Sequence, residues 1–465
     1  MNALFTRRRV VLAAAAAAGT TSLSASLTAC ATRRSTTDMP PIVFVHGNGD
    51  TAGLWIATIW RFESNGWPRD RLHAIDMPYP LARDDDAKEQ PGRSSIAEFT
   101  NHLAAEVKKV LASTGADKVA LVGLSRGGYA IRNFIANGGA SVVSHAVLGG
   151  VPNHGVWSNA GFLPGSEFNA AGAFLVRLNA PQGATGNEVT PGVAWMTIRS
   201  DNNDKYAQPD GVWIGARGTP THVSFDGPAL RGAENVVIAG VDHRETALSA
   251  KAFAEMYRFI AGKPPATAAI VPEAKVVLDG TVSGLGLDNR QGNFATNLPL
   301  AGATVEVYAT NAATGERIGG AAHRKSVGAD GRWGPFVADG AAPYEFVIAA
   351  PGYATTHVYR SPFPRSSSVV SLHPERLADA DRDARSLVTL SRPRGYFGVP
   401  RDRIALDGTT PPAGIPSGVA GVSTARLKLA DSSQRAVVGE FNDERIVGRT
   451  WPVADNNVVV LELTT

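Results

Sequence analysis

Ser125 stands at the centre of Gly123-Leu124-Ser125-Arg126-Gly127, and a serine set between two glycines at this spacing is a candidate nucleophile. The chemistry it would perform is acyl transfer. A serine hydroxyl attacks a carbonyl when a base takes its proton, a third group orients that base, and N–H donors stabilise the oxyanion. The apolar run Val119-Ala120-Leu121-Val122 precedes the pentapeptide, and a helix-compatible run, Gly128 to Ile135, follows it. The segment therefore reads as strand, sharp turn, helix, with the serine held at the strained turn. The flanking glycines leave room where a side chain would collide with the crossing. The competing reading is a glycine-rich turn whose serine only caps the helix.

The remaining parts of such a machine are present in order. His243, in Asp242-His243-Arg244-Glu245, follows the apolar run Val236-Val237-Ile238 and precedes the last helical segment. In the chain order serine, acid, histidine this is where the base falls. His222 is the weaker competitor. The acid should lie between serine and histidine, and the loop after Met196-Thr197-Ile198 offers Asp201 and Asp204, which spacing alone does not separate. Val45-His46-Gly47-Asn48-Gly49 closes the first apolar run. A His-Gly turn there presents the Asn48 N–H to the oxyanion, with the N–H of Arg126 as second donor. The Arg126 side chain is expected to narrow or charge the site and so to disfavour long acyl chains. No metal or organic cofactor is required by this chemistry.

The elements that must position these residues alternate. Ile42–Val45, Leu72–Asp76, Val119–Val122, Ser144–Leu148, Ala194–Ile198 and Asn235–Ile238 read as strands. Ser95–Ser113 carries Ile96, Phe99, Leu103, Val107, Val110 and Leu111 at helical spacing, and Lys251–Ile260 reads as a closing helix. Strands alternating with helices over residues 40–262 predict an α/β fold with a mostly parallel sheet covered on both faces. Two loops over the strand ends are long enough to set specificity. The polar 77–94 segment forms a rim, and 152–191 carries Val156, Trp157, Phe162, Leu163, Phe168, Phe174 and Leu175, which either line an acyl pocket or pack a cap.

A Pro- and Ala-rich linker, 263–273, then separates this domain from short strands between turns. Residues 274–373 read as an all-β, sandwich-like module, 375–385 as a charged spacer, and 386–465 as a C-terminal β module or as strands that complete the first. Phe363 in Arg360–Arg365 and the pair Tyr396-Phe397 are candidates for exposed aromatics that would touch a polymer or the cell envelope. Turn packing is the favoured reading of both segments.

The chain's composition, 44% hydrophobic and 19% charged over 465 residues, is globular, and a net charge of +3 gives no argument for nucleic acid. The first 30 residues read as an export signal. Arg7-Arg8-Arg9 precedes an alanine-rich apolar stretch too short to span a membrane confidently. Cys30 is the only cysteine, so no intrachain disulfide forms. It ends Leu27-Thr28-Ala29-Cys30, which resembles a bacterial lipobox. That resemblance implies cleavage before Cys30, its lipidation, and membrane anchoring through a polar tether, residues 31–39. Plain secretion is the alternative. The paired arginines resemble the twin-arginine export type.

Residues 40–262 resemble the α/β-hydrolases, and among them the class 2 bacterial lipases and the fungal lipase-B type. The resemblance is carried by Phe44-Val45-His46-Gly47, by Asn65–Asp76, by Val147–Gly155, by Asp204 with Pro209 five residues on, and by Asp242-His243. It implies Ser125, Asp204 and His243 as the catalytic triad, with Asp204 favoured over Asp201 by its match to the family's Asp-x-x-x-x-Pro. Leu298–Val305 with Asp330-Gly331 resembles the carboxypeptidase-regulatory, transthyretin-like β module. The implied function is an exported serine carboxylic ester hydrolase acting on a lipid, a short-chain ester or a polyester. The alternative of a different class is an inactive, envelope-binding lipoprotein. The same triad also hydrolyses amides.

Overall fold

Six parallel strands form the first sheet: β1 (Ile42–Val45), β2 (Leu72–Ile75), β3 (Val119–Leu124), β4 (Val143–Gly149), β5 (Ala194–Ser200) and β6 (Glu234–Ile238). Their spatial order is β2, β1, β3, β4, β5, β6, so the chain reverses direction across the sheet between β1 and β3. Open parallel sheets bind ligands outside the strand carboxyl ends at such a point. The computed structural model describes residues 39–182, 184–285 and 295–465. The export signal, Cys30 and all but the last residue of the tether lie outside the described residues.

β1 and β3 are fully apolar, buried runs because both faces of the sheet are covered. On one face pack α2 (Ile96–Thr114) and α3 (Arg126–Ala136), with Phe99, Leu103 and Val107 meeting Val43, Leu121 and Ile131. α1 (Ile56–Ser64) and α6 (Ala250–Ala261) cover the other, where Phe62, Phe253 and Tyr257 meet Phe44 and Val122. α2 starts where the sequence allows. Ser95 accepts from the Glu98 N–H and the Glu98 carboxylate accepts from the Ser95 N–H, which satisfies otherwise orphaned amides. Between β4 and β5 lies the short α4 (Ala173–Leu178), and α5 (Glu245–Leu248) precedes α6.

The β region is built around one mixed seven-stranded sheet. Its strands, in spatial order, are His323–Ser326, Thr304–Ala309, Tyr344–Ala349, Thr355–Arg360, Asn457–Glu462, Ser386–Ser391 and Thr424–Leu429. Strand Asn457–Glu462 inserts between Thr355–Arg360 and Ser386–Ser391 and runs parallel to both. Residues 386–465 therefore supply strands to the same sheet as residues 274–373. Smaller sheets flank it, one formed by Ile404–Leu406, Ala436–Phe441 and Glu444–Arg449. The 375–385 segment, expected to be a solvated spacer, is partly packed: Leu377 is buried, and Asp381 pairs with Arg426 at 2.8 Å.

The described residues fall in one compact unit, and the reason is visible in α1. Its inner face serves the parallel sheet, while Ile56, Ala57 and Trp60 on its outer face enter the core of the β region beside Trp333, Phe346 and Phe363. The Trp60 indole donates to the Ser366 carbonyl at 2.8 Å. The Glu63 carboxylate accepts from Arg365 at 2.8 Å. Phe363, Tyr396 and Phe397 are buried, which agrees with packing and leaves none of them exposed for contact with a polymer or envelope. Among the described residues no helix is long and apolar enough to cross a membrane.

Candidate active site

β3 ends at Leu124 and α3 begins at Arg126, so the turn is made at Ser125 alone. Its backbone sits at φ 51°, ψ −122°, a region that raises the energy of a non-glycine residue by about 1–3 kcal/mol. The geometry is fixed by neighbours. The Ser125 N–H donates to the Gly149 carbonyl at 2.9 Å, and its own carbonyl accepts from the Gly128 N–H at 2.9 Å. The flanking glycines are required by close approach: a Cβ on Gly127 would lie 2.5 Å from the His46 carbonyl oxygen, and one on Gly123 2.7 Å from Ile131 Cδ1. Gly127→Ala is therefore expected to destabilise the fold by about 1–3 kcal/mol, measured as a lower Tm. An unchanged Tm would show that the turn has slack.

His243 follows β6 on the loop that leads into α5. Its Nδ1 lies 2.8 Å and 2.9 Å from the two carboxylate oxygens of Asp204. Both residues are buried. Asp204 also accepts from the Tyr206 N–H at 2.9 Å, and the Tyr206 ring stands edge-on to the imidazole at 4.6 Å between centroids. Asp201 has another task. It accepts from the amides of Asn202 at 2.7 Å and Gly240 at 3.1 Å, tying the end of β5 to the turn after β6. These amides outweigh the opposing effect of its burial and hold its carboxyl below the usual range. His222 lines a recess with His154, Phe225 and Tyr206 that Asp204 also borders, while the Asp204 carboxylate is bonded to His243.

Asn48 is exposed beside Ser125. Its side chain accepts from the Ala82 N–H at 2.7 Å, which braces the turn, and its backbone N–H makes no hydrogen bond among the described residues. Arg126 opens α3, where an N–H has no intrahelical acceptor. The expectation that the Arg126 side chain narrows or charges the site is corrected. The guanidinium is fully buried, is gripped by Glu167 at 2.8 and 2.9 Å, and donates to the Pro80 carbonyl at 3.0 Å and the Ser94 carbonyl at 2.7 Å. It fastens both specificity loops to the turn and stays out of the cleft.

The cleft itself measures about 240 Å³ and is lined by Ser125, His243, Asn48 and Asp50, together with Val156, Trp157, Phe168, Tyr206, Trp213, Ile214 and Tyr396. Of the loop residues expected to line a pocket or pack a cap, Phe174 and Leu175 pack beneath it against the core. Among the described residues no group of three or more His, Cys, Asp or Glu side chains is placed to hold a metal ion.

Sequence reasoning missed how much of this site comes from the β region. Asp242, next to His243, is fully buried. Its Oδ2 accepts from Arg392 at 2.9 Å, from Arg401 at 3.3 Å and from the Tyr396 N–H at 2.7 Å. Its Oδ1 accepts from the amides of Arg244 and Glu245 at 2.9 and 3.0 Å. On the acid loop, Asn203 accepts from the Ala420 N–H at 3.0 Å and Lys205 donates to the Gly421 carbonyl at 2.8 Å. Behind the His46 turn, Asn297 donates to the carbonyls of Asp50 and Met77 at 3.0 and 2.9 Å. The histidine loop, the acid loop and the His46 turn are thus each held from the β region. The one local signal was the charge cluster at 242–245, which gave no hint of its partners.

Burial alone would raise the Asp242 carboxyl, but Arg392, Arg401 and the amides of Tyr396 and Glu245 outweigh it and hold it below 3.8. The unfolded chain then binds this proton more readily, so the contribution to stability is complete above the unfolded value and is lost as the pH falls through the folded one. The fall in Tm below pH 3.8 is expected to be shallower in Asp242→Asn. Equal slopes would show that this carboxyl is not linked to folding.

Comparison with known proteins agrees with this architecture. Residues 40–163 match the alpha/beta hydrolase fold family, and residues 274–377 match the lipase C-terminal domain family. Similar solved structures include Aspergillus fumigatus lipase B, at 16% identity over 50% of this chain and 54% of that one, TM-score 0.34. They include a Bacillus licheniformis lipase, at 18% identity over 48% and 92%, TM-score 0.35. Legionella pneumophila phospholipase PlaB matches at 12% identity over 73% and 94%, TM-score 0.34. The match spans about half the length of the fungal lipase. The chain carries an α/β-hydrolase fold domain followed by a lipase C-terminal domain.

Proposed function

We propose that the protein is a serine carboxylic ester hydrolase with Ser125 as nucleophile, His243 as base and Asp204 as the group that orients it. The observation that carries the reading is the doubly hydrogen-bonded His243–Asp204 pair in one cleft with a serine held at positive φ. In the first step the Ser125 hydroxyl attacks the ester carbonyl and its proton passes to His243. The tetrahedral oxyanion takes hydrogen bonds from the Asn48 and Arg126 amides, a kind of contact worth about 10²–10³ in kcat per donor. The alcohol leaves with the proton from His243. Water, deprotonated by the same imidazole, then cleaves the acyl-enzyme and restores the serine. Asp204 stabilises the imidazolium formed in each half-reaction.

The cleft, at about 240 Å³, is smaller than the roughly 300–1,000 Å³ of ordinary small-molecule sites, which favours compact esters over long acyl chains. The test is hydrolysis of nitrophenyl esters from acetate to palmitate by the mature protein, beside Ser125→Ala. A maximum at short chains is expected. Ser125-independent turnover, or none, overturns the reading.

The reading extends to location. The 1–30 signal and Cys30 are expected to direct export and lipid anchoring at the cell envelope. In cells, Cys30→Ala is expected to move the protein from the membrane pellet to the soluble fraction. Unchanged pelleting would remove the anchor from the proposal.

A further inference from the structure

We infer that Tyr396, contributed by the C-terminal β region, is a specificity-determining residue that forms the wall against which the alcohol portion of the ester packs. The inference rests on the hydrolase reading above and assigns a substrate subsite within it. Tyr396 shares the cleft with Ser125 and His243 although it lies far away in the sequence. It is held rigidly. Its N–H donates to Asp242, and its carbonyl accepts from Arg392 at 2.7 Å and from Arg401 at 2.6 Å. Over its ring lie the Lys205 ammonium, 3.9 Å from the centroid, and the Arg244 guanidinium, at 4.8 Å.

The reaction says which half of the ester meets this wall. The imidazole delivers its proton to the leaving oxygen, so the departing alcohol lies on the histidine side of the scissile bond. The histidine side is aromatic. Tyr206 stands against the His243 ring, and the Lys205 ammonium lies 5.0 Å from Tyr206, 5.5 Å from Trp213 and 3.9 Å from Tyr396, joining these rings into one surface. The other apolar residues of the lining, Val156, Trp157 and Phe168 from the loop after β4, are left for the acyl chain. An apolar, ring-bearing alcohol is the class that this aromatic wall fits, since aromatic surfaces pair favourably beyond the area they bury.

Two ester series separate the subsites: butyrates of methanol, phenol and 2-naphthol, and nitrophenyl esters from acetate to octanoate. In Tyr396→Ala the ratio of kcat/KM for naphthyl over methyl butyrate is expected to fall about tenfold, mainly through KM, while the relative preference across acyl lengths stays as in the wild type. Tyr396→Phe, which keeps the ring, is expected to retain the wild-type alcohol ratio. Tm values for both variants identify loss of fold. An active wild type whose alcohol ratio is unchanged in Tyr396→Ala overturns this inference and leaves the hydrolase reading standing. So does a parallel loss on both series, or a shifted acyl preference. A wild type inert to every ester in both series overturns the hydrolase reading and the inference with it.

Discussion

Ser125→Ala is expected to lower ester turnover by about 10⁶-fold, as removal of a triad nucleophile does, while the protein remains folded. The alanine keeps the backbone and loses only the hydroxyl, and the turn is held by main-chain bonds to Gly149 and Gly128 that the substitution does not touch. Ser125→Gly gives a sharper result. The φ of 51° and ψ of −122° at this position suit glycine. Relief of about 1–3 kcal/mol of backbone strain exceeds the roughly 0.5–1 kcal/mol that glycine forfeits to chain entropy. The glycine variant should therefore be inactive and slightly more stable than the wild type. Calorimetry beside the nitrophenyl assay reads both. A glycine variant with a lower Tm would mean that the serine conformation stores no strain.

Asp242→Ala has the second largest expected effect, and it acts on stability and rate together. Removing the carboxylate leaves Arg392, whose side chain is 4% exposed, without one of its anionic partners. It also takes away the acceptor for the Tyr396 amide. Breaking a buried pair from one side destabilises by about 3–5 kcal/mol, because the remaining charge stays desolvated. The Arg244 and Glu245 amides lose their acceptor at the same time, so the His243 loop loses its anchor. A shift of about 1 Å in a reacting group lowers the rate about 10²-fold, and kcat should fall by that order even at temperatures where the variant is folded. Asp242→Asn, which keeps an oxygen acceptor, should recover part of the rate. Full activity in Asp242→Ala would show that the loop holds His243 without help from the β region.

What the sequence made legible was local. The elbow glycines, the helical spacing of apolar residues in α2 and the all-apolar β1 and β3 each record a constraint satisfied within a few residues, so pattern and spacing reveal them. The candidate acid was ambiguous for the same reason. Asp201 and Asp204 lie on one loop, and only the fold decides which reaches an imidazole 39 positions away. Arg126 was misread because an arginine beside a nucleophile looks like part of the cleft, and Glu167, which buries it, comes from a distant loop. Arg392 carried no signal, and nothing tied Tyr396 to the active site. Their partner Asp242 lies 150 positions upstream, and nothing in the composition of either segment marks the pairing. The aromatic pair at 396–397 invited a surface role, whereas Phe397 fills the β core and Tyr396 faces the cleft.

Strand Asn457–Glu462, in the middle of the mixed sheet, bears on the order in which the protein comes to life. A ribosome releases the parallel-sheet segment well before this strand, and domains fold as they emerge. Until it arrives, Thr355–Arg360 and Ser386–Ser391 have no shared neighbour to pair with. The segment bearing Arg392 and Tyr396 directly follows Ser386–Ser391 and cannot be set in place before that sheet closes. The nascent hydrolase domain would then hold its serine, acid and histidine with the histidine loop still unclamped. On the hydrolase reading proposed above, hydrolytic competence would wait until this strand had emerged and the sheet had closed, well after the parallel sheet itself was complete.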